Sequence, residues 1–148
     1  MKIAKALKLK NQLAGEVAQL KDLLTKQNSR SAKQKFDYEN REVLTRLRAK
    51  LDELVKVKAA VAAANAEVYD KIFRLAELKG LVTTLTGLDT KAGVFHEGRG
   101  FAEAAYEVEY VAQMGKVDVD KLVAELNAEI QLLQDALDEF NFTRSVNL

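Results

Sequence analysis

Apolar residues recur every three or four positions along most of this chain, and that period predicts helices. Ile3, Ala6, Leu13, Val17, Leu20 and Leu24 form one stripe over residues 2–28, with Lys10 at an expected seam position. Gly15 inside it costs about 1 kcal/mol of helicity relative to Ala. The stretch Asn28-Ser29-Arg30-Ser31-Ala32-Lys33-Gln34-Lys35 has no such period and reads as a polar loop.

The middle of the chain is the most regular. Leu44, Leu47, Leu51, Leu54, Val61, Val68, Ile72, Leu75 and Val82 fall on one heptad frame, with Lys58, Asn65 and Lys79 at the remaining seam positions. Sustained apolar a and d positions are the signature of a coiled coil or long bundle, and polar seam residues set register. Asn65 interrupts a run of small residues, Ala59 to Ala66. Propensity favours one continuous helix there, about 75 Å long for 50 residues. Compactness favours a break into helices over 37–64 and 68–87. Leu44, Leu51, Lys58, Asn65, Ile72 and Leu75 are the residues expected to line a seam between copies of the chain.

Four of the seven glycines fall between 87 and 100, which marks the main irregular region. After it the period changes. Tyr106, Val108, Tyr110, Ala112 and Met114 alternate with mostly polar residues, as a strand does. Val94-Phe95-His96 is its expected partner across Gly98-Arg99-Gly100, giving a β element over about 94–114. A last helix follows over 118–140, with Asp118 as the expected N-cap and Leu122, Leu126, Ile130, Leu133, Leu137 and Phe140 as its stripe. The tail 141–148 keeps apolar side chains and is expected to dock on the helices. The predicted fold is mainly α: an antiparallel helical bundle or coiled coil, one domain over 1–148, with a small β-hairpin inserted before the last helix.

Composition narrows the function classes. The 148 residues contain no Pro, Cys or Trp and one His. Lack of Pro suits uninterrupted helices. Without Cys there is no thiol nucleophile, disulfide scaffold or cysteine metal site. One His makes a zinc site of protein ligands alone improbable, and no metal or other cofactor is expected. No serine stands on a Gly-x-Ser-x-Gly turn, and no phosphate-loop or dinucleotide fingerprint is present. The chain therefore reads as a non-enzyme. Lysines interrupt the apolar residues of the first ten positions, so neither a signal peptide nor a membrane span is expected, and the predicted location is the cytoplasm of a cell or an infected host.

Charge is unevenly spread. Residues 1–58 hold 15 Lys/Arg and 7 Asp/Glu, a net of +8, whereas residues 59–148 carry a net of −7. A basic face such as Lys2, Lys5, Lys8 and Lys10 with Arg46, Arg48 and Lys50 is one way to meet nucleic acid. Interleaved Asp37, Glu39 and Glu42 and the lack of a recognised binding fold favour basic and acidic helices neutralising each other instead. Glu107 and Glu109 lie on one face of the expected strand; the commoner role of such a pair is the wet face of a sheet.

The order of the pieces resembles the septicolysin-like family of small helical proteins. The resemblance covers most of the chain. It rests on Met1-Lys2-Ile3-Ala4-Lys5-Ala6-Leu7, the helix from Leu47 to Val61, the Asn65 region with Leu75-Ala76-Glu77-Leu78-Lys79, and Val108-Glu109-Tyr110-Val111 leading to Val117-Asp118-Val119. The tail Asn141-Phe142-Thr143 carries Phe where family members tend to carry Trp. The resemblance implies a helical fold with a small β element and oligomerisation.

Two functional expectations follow. The first is a non-enzymatic structural or interaction protein that associates with itself, as a dimer or larger assembly. The second is a binding protein for an anionic, nucleotide-like small molecule at a subunit interface. His96, Arg99, Tyr106 and Tyr110 would line that pocket: imidazole for proton exchange, guanidinium for phosphate, glycines for close backbone approach.

Overall fold

A computed structural model describes residues 1–98 and 104–148. The chain is mainly helical, with a two-stranded hairpin before the last helix: α1 (Ile3–Lys26), α2 (Asn40–Asn65), α3 (Tyr69–Thr86), β1 (Gly93–Glu97), β2 (Tyr106–Tyr110) and α4 (Lys116–Thr143). The contacts group into two compact units, residues 1–69 with 137–148, and residues 70–136.

The first unit is built on α1 and α2. Leu24 lies beside Asn40, whose Nδ2 donates to the Leu24 carbonyl at 2.9 Å. Glu16 lies beside Lys50 at 3.1 Å, and Leu9 and Leu13 share a groove with Val57. Rising numbers on one helix meet falling numbers on the other, so the two run antiparallel. The α1 stripe is buried as its spacing predicts: Ile3 and Ala6 fully, then Leu13, Val17 and Leu20. Lys10 and Leu24 sit half-buried at the edges.

The α2 stripe is rotated from the predicted heptad frame. Leu47, Leu54 and Val61 are buried as expected, but the alternate positions fall one residue earlier, at Val43 and Val57. Leu44 is 44% exposed and Lys58 is exposed. The physical reason is that burying Val57 removes apolar surface from water, whereas burying Lys58 would strand an ammonium. Leu51 and Asn65 are half-buried.

The middle run is two helices. After Asn65, Ala66 donates its N–H to the Ala63 carbonyl at 3.3 Å and Val68 donates to Asn65 at 2.9 Å. The Tyr69 hydroxyl donates to the Ala62 carbonyl at 3.2 Å. Three of the four carbonyls left open at the end of α2 are thereby satisfied. Asn is the weakest helix former in this alanine-rich run, and the break falls there. Val68, buried, anchors the turn.

The tail docks on the same unit. Lys2 and Ser145 form an antiparallel bridge. Val146 donates to the Met1 carbonyl at 2.7 Å, and Ile3 donates to the Arg144 carbonyl at 3.0 Å. Val146 is buried in the α1–α2 core, and Arg144 pairs with Glu67.

In the second unit, Arg74 on α3 pairs with Glu129 on α4 at 2.6 Å. Of the α3 residues only Leu75 and Leu78 are buried; Ile72 is half-buried. Helix α4 begins at Lys116 rather than 118. Asp118 is therefore not its N-cap. Gly115 holds that position, accepting from Val119 at 3.0 Å, and Asp118 Oδ2 accepts from the Gly115 N–H at 3.2 Å. That is the reach-back half of a capping box, played by the third helical residue. The helix continues to Thr143, beyond the predicted end at 140. Val119 and Leu137 are buried; Leu126, Ile130, Leu133 and Phe140 are half-buried, and Leu122 is exposed.

Candidate functional site

The hairpin carries the residues singled out for ligand chemistry. Its strands are antiparallel, with Gly93 opposite Tyr110, Phe95 opposite Val108, His96 opposite Glu107 and Glu97 opposite Tyr106. The alternation ends at Tyr110, so Ala112 and Met114 lie beyond the strand; Val111, next to it, is 88% exposed. Gly93 and Gly98 have φ of +104° and +84°, a region that disfavours any side chain. At Gly98 a Cβ would also come within 2.6 Å of the Tyr106 ring.

Residues directly opposite share a face, and neighbours along a strand point to opposite faces. His96 therefore lies on one face with Glu107, Nε2 to Oε1 3.9 Å, and both are well exposed. Tyr106 and Tyr110 lie on the other face, with Phe95 and Glu97. The expected pocket of His96 with both tyrosines does not form within one hairpin, because a period of two sends them apart. Arg99, the fourth residue of that expectation, lies outside the described residues.

The tyrosine face has its own organisation. Tyr110 packs edge-on against Phe95, with ring centroids 5.7 Å apart. Lys91 Nζ stands 5.8 Å from the Phe95 centroid and 5.2 Å from that of Tyr110. The Tyr110 hydroxyl donates to Glu97. That hydrogen bond first, then burial and the nearby negative charge, holds the phenol proton above its ordinary range. Such an arrangement stabilises one face of a two-stranded sheet, which is marginal alone. Sequence reading did not find Lys91, since nothing in the spacing ties it to Phe95 and Tyr110.

The clefts lie elsewhere. In the first unit, an apolar groove of about 480 Å³ is lined by Leu9, Leu13, Val57 and Ala59, with Glu53 and Lys56 at its edge. A second cleft of about 260 Å³ includes Glu16, Leu20, Arg46 and Lys50. Among the described residues no three His, Cys, Asp or Glu side chains gather as a metal would require. No helix among them is long and apolar enough to cross a membrane.

Of the residues expected at a seam between copies, Leu75 is buried within the chain, and Leu51, Asn65 and Ile72 are half-buried. Leu44 and Lys58 remain on the surface of α2. No family model, curated protein or solved structure matches the chain.

Proposed function

We propose that this chain is a non-enzymatic helical protein that works by associating with copies of itself, as a dimer or larger assembly. The observation that carries this reading is its surface. The accessible area is 11158 Å². A standard interface takes roughly 800 Å² from each partner, a small share of that area.

Large apolar side chains stand on that surface. Leu44, Val55, Leu81, Val117 and Leu132 are 44%, 62%, 44%, 80% and 71% exposed. Covering such side chains with a second copy would remove apolar surface from water. The resemblance to septicolysin-like proteins implies oligomerisation too, and a dimer is the simplest closed form. The partner in this reading is the protein itself. Native mass spectrometry at micromolar protein tests it. A dimer or higher species is expected; a monomer across the whole concentration range overturns it.

A further inference from the structure

The surface contains two stripes of matching spacing and opposite charge. On α2, Arg48, Leu51, Val55 and Lys58 follow a 3-4-3 spacing; on α4, Glu125, Ala128, Leu132 and Asp135 follow the same one. At 100° per residue each set occupies one helix face, and in each the two charged residues stand ten residues, about 15 Å, apart. The inner pair is apolar in both.

Both stripes face solvent. Arg48, Val55, Lys58, Glu125, Ala128, Leu132 and Asp135 are exposed, and Leu51 is half-buried. None of Arg48, Lys58, Glu125 and Asp135 forms a salt bridge among the described residues. Asp135 accepts only an amide hydrogen bond from Gln131, at 2.8 Å. Four unpaired charges at equal spacing thus bracket two apolar pairs.

We propose that the α4 stripe of one copy docks on the α2 stripe of a second copy. Leu132 and Ala128 would pack on Leu51 and Val55, and the basic ends would meet the acidic ends. Two α2 stripes facing each other would set cation against cation, and two α4 stripes anion against anion. Charges flanking a helical seam choose the partner in this way. The stripes therefore reject self-pairing and select the complementary one, which the opposite net charges of the chain's two halves also favour. The inference rests on the self-association proposed above and specifies its surface.

Charge exchange tests it. Association constants are measured by sedimentation equilibrium for the full chain, for Arg48→Glu with Lys58→Glu, for Glu125→Lys with Asp135→Lys, and for the variant carrying all four changes. Circular dichroism and thermal melting confirm that each remains folded. Each double variant is expected to raise the dissociation constant about tenfold or more, and the fourfold variant to restore it to within about threefold. An unchanged constant in either double variant, or no recovery in the fourfold one, overturns the docking. A wild-type chain that is monomeric throughout defeats the self-association reading as well. A wild-type oligomer indifferent to the exchange defeats only the surface assigned here.

Discussion

The Tyr38 hydroxyl donates to the Leu23 carbonyl at 2.6 Å. Two residues later, Asn40 Nδ2 reaches the Leu24 carbonyl. Leu23 and Leu24 belong to the last turn of α1, whose four final carbonyls have no partner within the helix. The start of α2 thus closes the end of α1. Gln27 and Asp37 complete the junction: the Asp37 N–H donates to Gln27 Oε1 at 2.9 Å, and Gln27 Nε2 donates to the Asp37 carboxylate at 2.6 Å. The polar loop between is tied at both ends, and the antiparallel register of α1 on α2 follows from where it is tied.

Removing the hydroxyl isolates that contribution. Tyr38→Phe keeps the ring and leaves a partly buried carbonyl without its donor. A loss of about 1 kcal/mol is expected. Urea unfolding measures it; a change below about 0.3 kcal/mol would show that water replaces the phenol at no cost.

The rotated stripe of α2 makes a sharper contrast. Val57 is buried and Lys58, its neighbour on the predicted frame, is exposed. Val57→Ala is expected to cost about 2 kcal/mol through lost burial and the cavity left behind. Lys58→Ala is expected to change unfolding by less than about 0.5 kcal/mol. Equal costs at the two positions would restore the predicted frame.

Gly98 tests the hairpin. Its φ of +84° and its closeness to the Tyr106 ring leave no room for a methyl group. Gly98→Ala should cost about 1–2 kcal/mol locally. The expected reading is loss of the cross-strand proton contacts between Phe95 and Val108 in NMR spectra, while the Ile3 and Leu13 methyl signals stay in place. Intact cross-strand contacts would mean that the pairing does not require glycine at 98.

Much of the architecture was legible because helical spacing reports burial directly. Ile3, Ala6, Leu13, Val17 and Leu20 share one face, and all are buried. The break near Asn65 was visible as an option, but choosing it required the Ala66, Val68 and Tyr69 hydrogen bonds that close the end of α2. The frame of α2 is ambiguous in the sequence because Leu44 and Leu51 are as apolar as Val43 and Val57. Two apolar stripes run along that helix, and periodicity alone does not say which one meets α1. The hairpin was legible from its alternation; Arg99 and Gly100 of the expected turn lie outside the described residues. The face assignment of His96 needed the register, which sets it opposite Glu107 and away from the tyrosines.

Lys50 links the pH response to the α1–α2 pairing. Its ammonium lies 3.1 Å from Glu16 and 3.2 Å from Glu53. Hydrogen bonds from Gln12 and then Lys50 hold the Glu16 carboxyl below its ordinary range, and those to Glu16 and Glu53 hold Lys50 above its own. A lowered carboxyl contributes stability above its ordinary titration range, and loses it as pH falls through the lowered value. A raised ammonium contributes below its ordinary range, and loses it as pH rises through the raised value. The contribution is therefore present at neutral pH and fades at both extremes. These groups are at the surface, so salt weakens the effect. Lys50→Met removes one of the two main causes at Glu16, so its carboxyl should titrate at higher pH than in the parent chain, as followed by carbon-detected NMR. An unmoved titration curve would assign the whole shift to Gln12 and remove Lys50 from the pairing of the two helices.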